Sequence, residues 1–193
     1  MKTKIAAMPF LLVLAVLLWG CDVSVNRSIH VRDGESSHGL TSVNGSIHVG
    51  DDSQVRDLDT VNGRISIAAR VAVDGNAKTV NGSITCGSGS KIHGWLTTVN
   101  GRIKLKNTEV DEEMSTVNGD ILLLAKSLVR GDIIIKGSHG HLFDHQRLEI
   151  RISDGSRVEG GIIVRDADVE VKVYLSKDST VKGEIKNAQV IKE

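Results

Sequence analysis

The chain is short of the residues that build a conventional core. Aromatic residues make up 3% of its 193 positions, as two Phe, two Trp and one Tyr. A core organised around large rings is therefore excluded, and burial falls to small β-branched side chains, which suit close-stacked strands. There is a single proline against 20 glycines. Neither sign of charge predominates, with 24 basic and 24 acidic residues, so the electrostatic bias expected of a nucleic-acid binder is missing. The longest apolar run, Phe10 to Trp19, is too short to span a bilayer comfortably.

That run has another meaning. Lys2 and Lys4 precede it and Leu18-Trp19-Gly20-Cys21 ends it, the order of a secretory signal peptide. The last four residues resemble the lipobox of bacterial lipoproteins, with the bulky Trp19 as a mild departure. The resemblance implies cleavage before Cys21 and acylation of its thiol. Several buried acyl chains anchor firmly, since each methylene contributes about 0.8 kcal/mol. Asp22 resembles an inner-membrane retention signal, which slightly favours the periplasmic face of that membrane. The expected organisation is a signal peptide over 1–20, a lipidated N-terminus and short tether over 21–24, and one domain over 25–193. With Cys21 acylated, Cys86 has no intrachain partner.

The mature chain is a repeat. Val25-Asn26-Arg27-Ser28-Ile29, Val43-Asn44-Gly45-Ser46-Ile47 and Val61-Asn62-Gly63-Arg64-Ile65 open it. Val80-Asn81-Gly82-Ser83-Ile84, Val99-Asn100-Gly101-Arg102-Ile103 and Val117-Asn118-Gly119-Asp120-Ile121 continue it. The valine numbers rise by 18, 18, 19, 19 and 18 in turn, a near-constant step that marks a solenoid. A hydroxyl precedes every valine, from Ser24 to Thr116. Further apolar positions follow: Val31, Val49, Ile67, Cys86, Leu105 and Leu123, then Val55, Val73, Ile92 and Val129, then Leu40, Leu58, Ala77, Leu96 and Met114. Alternation of the Ile-x-Val type marks short strands with every second side chain inward.

One unit wrapped into three strands places each valine above the last and supplies five apolar side chains to the core, the valine included. Asn-Gly is a turn signal because both residues tolerate positive φ. Asn26, Asn44, Asn62, Asn81, Asn100 and Asn118 are expected to form an amide ladder along one corner. Ile135-Lys136-Gly137 reads as a decayed copy of the motif. Leu148 to Ile162 and Val171 to Ile185 read as two wider copies, with Val171 in the second where Leu148 stands in the first. The predicted fold is all-β: a single-stranded parallel β-helix with coils of roughly 18–19 residues and wider coils of roughly 23 residues at the C-terminal end. About nine coils make a rod about 40 Å long at the strand spacing.

These Thr-Val-Asn-Gly-Ser-Ile units, continued by Gly160-Gly161-Ile162-Ile163-Val164 and Val181-Lys182-Gly183-Glu184-Ile185, resemble the adhesin-type β-solenoid domains of bacterial envelope proteins. They are similar, more distantly, to bactofilins, which polymerise in the cytoplasm and lack a lipobox. The resemblance spans roughly residues 23 to 191. It implies an architecture and no site that can be transferred residue by residue.

Candidate chemistry is sparse. His139, His141, Asp144 and His145 alternate closely enough for a zinc or copper site, although incidental histidines on a solvated loop are the simpler expectation. His30 and His48 hold equivalent places in successive coils. Cys86 replaces an aliphatic core residue and is expected to be a buried thiol rather than a nucleophile. Arg130-Gly131-Asp132 matches an integrin-type tripeptide but fits the strand pattern. Asp51-Asp52 and Asp111-Glu112-Glu113 occupy different parts of their coils, so no carboxylate pair is expected to flank a glycosidic bond.

The expected role is non-catalytic and needs no cofactor: a lipid-anchored scaffold of the bacterial cell envelope, meeting an envelope protein or a glycan and no nucleic acid. A small carbohydrate-active or metal-binding β-helix is the first alternative. Coil-on-coil self-association into a bactofilin-like filament is the second.

Overall fold

The computed structural model describes residues 21–137, 147–166 and 169–193. All described regular structure is β, in three parallel sheets that together form one solenoid. Sheet A has nine strands, from Cys21–Ser24 to Ile185–Lys186, and sheet B has nine, from Ile29–Val31 to Gln189–Lys192. Sheet C has eight, from Ser36–Ser37 to Thr180–Val181. The chain visits A, B and C in turn and returns to A one coil further on, making about eight full turns rather than nine complete coils. Cys21–Ser24 is not a tether: it is a strand, with Cys21 opposite Gly39 and Ser24 opposite Ser42.

Register follows the repeat. Ile47 stands beside Ile65, Ile65 beside Ile84, and Ile84 beside Ile103. The core is four apolar columns: on sheet B the isoleucines and the Val49–Ile67–Cys86–Leu105–Leu123 series, on sheet C Val55 to Val158, and on sheet A Leu40 to Ile162. Cys86 is 4% exposed. Val110 completes the sheet C column, between Ile92 and Val129.

Two expectations about the motif are corrected. The repeat valine does not enter the core: Val25, Val43 and Val61 are 59%, 37% and 41% exposed. Strand alternation explains this, because Leu96 and Thr98 point inward while Thr97 and Val99 point outward. The inward partner is the hydroxyl residue. Thr60, Thr79 and Thr98 each donate, at 2.9 Å, to the carbonyl of Gly45, Gly63 and Gly82 in the preceding coil, which satisfies both buried polar groups. The glycine, in turn, is not there for positive φ. A Cβ on Gly63, Gly82 or Gly119 would overlap the carbonyl oxygen of the glycine one coil before. Left-handed backbone reaches the A–B corner only in the C-terminal coils, at Gly137 and Asn187; over the regular coils it sits at the corner between sheets B and C, at Gly34, Asp52, Arg70, Gly89 and Asn107. A second hydroxyl column lies there too, with Ser53, Ser90 and Thr108 donating to Arg32, Ala68 and Gly87 carbonyls.

The copy at Ile135 is out of step by one residue. Ile135 pairs with Thr116, not Val117, and fills the hydroxyl slot with an aliphatic side chain. From there coil length grows. Ile121 pairs with Ile150, and the neighbouring contact from Asp120 to Glu149 spans 29 positions. Ile150 then pairs with Val173, and the neighbouring contact from Arg147 to Glu170 spans 23. The final coil is shorter again, since Val173 already pairs with Val190.

Swapping the two sides of one strand tests the inward assignment. Thr98→Val leaves the Gly82 carbonyl unpaired and is expected to cost about 1–2 kcal/mol. Val99→Thr, on the surface, is expected to stay within about 0.5 kcal/mol of wild type. Denaturant midpoints measure both, and equal effects would contradict the assignment. Gly82→Ala is expected to be worse than either, at about 3 kcal/mol, because two coils must separate to admit the methyl group.

Candidate functional site

The most regular surface feature is the corner joining sheets A and B. Asn26, Asn44, Asn62, Asn81, Asn100 and Asn118 stand one above another, and each Nδ2 donates to the Oδ1 of the asparagine before it. The five distances are 2.9, 2.9, 2.8, 2.8 and 2.8 Å. Beside this ladder runs the outward valine column, exposed at Val25, Val43 and Val61 and half-buried at Val80, Val99 and Val117. Each of the four interior amides has one N–H and one carbonyl lone pair committed to the ladder, and the rest of its hydrogen-bonding capacity is left over. The result is a neutral ridge, six coils long, that alternates an apolar surface with amide groups. On its sheet B side, Arg64 and Arg102 occupy exposed positions two coils apart, and Arg102 pairs with Asp120 at 3.1 Å.

The ladder ends abruptly. In the next coil Gly137 stands where an asparagine would continue it, one residue after Lys136, whose N–H bonds the Thr116 carbonyl. Asn118 Oδ1 and Thr116 Oγ1 are buried without a hydrogen-bond partner. Asn118 Oδ1 faces the coil that no longer supplies an asparagine, whereas Thr116 Oγ1 lacks the bond to the preceding coil's glycine carbonyl that Thr60, Thr79 and Thr98 make.

Sheet C carries the densest charge among the described residues. Lys91 lies 3.5 Å from Glu109 and 3.3 Å from Asp111, and His93 Nδ1 lies 2.9 Å from Asp111. Arg130 bonds Glu109 and reaches Asp111 at 3.1 Å and Glu159 at 3.7 Å. Lys182 closes the series on Glu159 at 2.9 Å. His93, Lys91 and Arg130 together hold the Asp111 carboxyl below its ordinary range, against a burial effect that alone would raise it. Every acid here faces a cation, which is the arrangement of a surface tie between coils rather than of a carboxylate pair poised for acid–base work.

The remaining sequence candidates fall in separate places. Arg130 belongs to the charge network, and Asp132 Oδ1 accepts from the Gly161 N–H of the next coil at 2.7 Å. Both ends of the Arg-Gly-Asp tripeptide are thus engaged within the fold. Asp52 is clamped by Arg70 at 2.6 and 2.7 Å, which lowers its pKa, and Asp51 accepts from the Ala69 N–H. These acids lie at the B–C corner, away from Asp111 on sheet C. Burial pushes the Cys86 thiol up to about 12, so it is a protonated core residue at neutral pH. His30 and His48 stack at 4.8 Å with rings 21° apart. Partial burial first, then His30 and Arg64, lowers the His48 pKa. Cys21 opens the first strand of sheet A. His139, His141, Asp144 and His145 lie outside the described residues. Among the described residues no group of three or more metal-binding side chains converges, and no helix is long and apolar enough to cross a membrane. The ridge was half legible: the asparagines announce themselves by their period, but the outward turn of the valines requires the strand phase.

The lowered pKa of His48 sets the sign of a pH effect. Above the unfolded value of 6.5 both states are neutral and stability is unaffected. As pH falls below it the unfolded chain takes up the proton first, so stability is lost. His48→Gln is expected to flatten the stability profile just below pH 6.5, measured by denaturant titration at several pH values. An unchanged slope would remove the histidine stack from the account. The Cys86 thiol is expected to resist a thiol-reactive dye in the folded protein and to react at once on unfolding. No family model, no curated protein and no solved structure matches this chain.

Proposed function

We propose that the chain is a non-catalytic, lipid-anchored protein of the bacterial envelope that presents its A–B corner as a docking scaffold for an envelope protein or a glycan. The observation that carries this reading is the unbroken ridge from Val25 to Asn118, where amide and apolar groups recur once per coil. A stacked solenoid holds such groups at about 4.8 Å intervals. A partner that is itself extended or repetitive meets one equivalent contact per coil, and the weak contacts add. The lipobox-like Leu18 to Cys21 supports placement at a membrane, and the resemblance to adhesin-type solenoids supports a binding role.

The experiment is capture from the native envelope with the acylated full chain. The control carries Val43→Lys, Val61→Lys and Val80→Lys together; these side chains project outward, so the thermal midpoint is expected to change by little. The expected outcome is a specific protein or glycan retained by wild type and lost with the control. Equal capture by both would move the docking face elsewhere, and trimmed glycan in the eluate would replace the scaffold reading with a catalytic one.

A further inference from the structure

The first coil differs from those that follow in how much apolar surface it leaves open. Val23 and Val25 are 56% and 59% exposed, against 37% and 41% for Val43 and Val61 in the next two coils. Ile29, whose equivalents Ile47 and Ile65 are fully buried, is only partly covered. Val23 and Ile29, with Ser24, Arg27 and Ser28, line a shallow recess of about 300 Å³ at the N-terminal mouth of the solenoid, and Val25 lies beside it in the chain. Among the described residues, sheet A begins with Cys21–Ser24 and sheet B with Ile29–Val31, so no described strand pairs with either on its outer side. An edge of that kind calls for a cover or a polar surface.

What lies beyond the edge is indicated by the chain itself. The apolar run Phe10 to Trp19 ends two residues before Cys21, and Cys21 is already in strand register, opposite Gly39. No spacer separates the anchoring position from the rigid body. We infer that the lipid surface is the N-terminal cap of the solenoid: the first coil sits in the headgroup layer, with Val23 and Val25 at the acyl boundary and the rod standing upright. The headgroup region is wet enough to bond the free N–H and C=O groups of the edge and apolar enough below to take two valines. Arg27 and Arg32, both exposed in this coil, reach lipid phosphates, and the Arg32–Glu35 pair at 3.5 Å is open enough to rearrange. The inference rests on the anchored reading above and adds an orientation to it, placing the Val–Asn ridge along the membrane normal.

Nitroxide depth measurement on the full acylated chain in phosphatidylcholine vesicles tests it. Buried Cys86 stays unlabelled, so Val25→Cys and Thr180→Cys each give one labelled site at opposite ends of the rod. Arg27→Cys is a second first-coil site, in case the Val25 variant folds poorly. The expected result is co-flotation with vesicles, with relaxation by lipid-dissolved oxygen several-fold stronger at the first coil than at 180. Co-flotation with equal, water-dominated relaxation at both ends would overturn the seating while leaving the anchor intact. Failure to co-float would overturn the anchor, and the seating with it.

Discussion

The regular coils of this structure depend on how closely two successive coils approach at the A–B corner. Glycine carbonyls stack there with no room for a Cβ, and that proximity sets the spacing at which an asparagine amide reaches its neighbour and a threonine hydroxyl reaches the glycine carbonyl below. The three residues act as one device. Glycine permits the approach, threonine satisfies the buried carbonyl, and asparagine ties the outer side. The valine between threonine and asparagine belongs to none of these tasks, and strand alternation leaves it facing solvent. A motif that looks like a core signature is therefore a corner signature.

The corner also explains where regularity stops. Ile135 fills the threonine slot and Gly137 stands where the next asparagine would be, so neither the inner nor the outer hydrogen bond propagates. Beyond that point the coils need no fixed length, and pairings 29 and then 23 residues apart follow. The aliphatic columns continue regardless, through Ile150, Ile162 and Val173. Core packing alone tolerates variable coils, whereas the corner device enforces the constant period.

The period, the parallel stacking and the amide column were all legible in the sequence because each depends on residues that recur at a fixed interval. Strand phase was not. Valine and isoleucine look alike to a hydropathy pattern, and only the hydroxyl before each valine hinted at which side faced inward. Positive φ was misplaced for a related reason: Asn-Gly commonly marks left-handed backbone, but here the left-handed corner uses Asp52, Arg70 and Asn107, a mixed set with no common signature. The charge network from Lys91 to Lys182 escaped notice because its members are unlike in type and meet only across coils. The A–B ridge was visible as a repeat and invisible as an exposed surface.

The bonds that join successive coils run along the rod, and this gives the molecule a mechanical character. A pull applied between the two ends of the rod loads the inter-coil ladders one after another instead of shearing many at once. Coils then peel singly, each regular coil releasing about 60 Å of slack chain at roughly 3.3 Å per residue. Such a rod yields coil by coil, in near-equal steps over the regular coils and in unequal ones over the C-terminal coils, and each coil still stacked keeps its segment of the ridge in register.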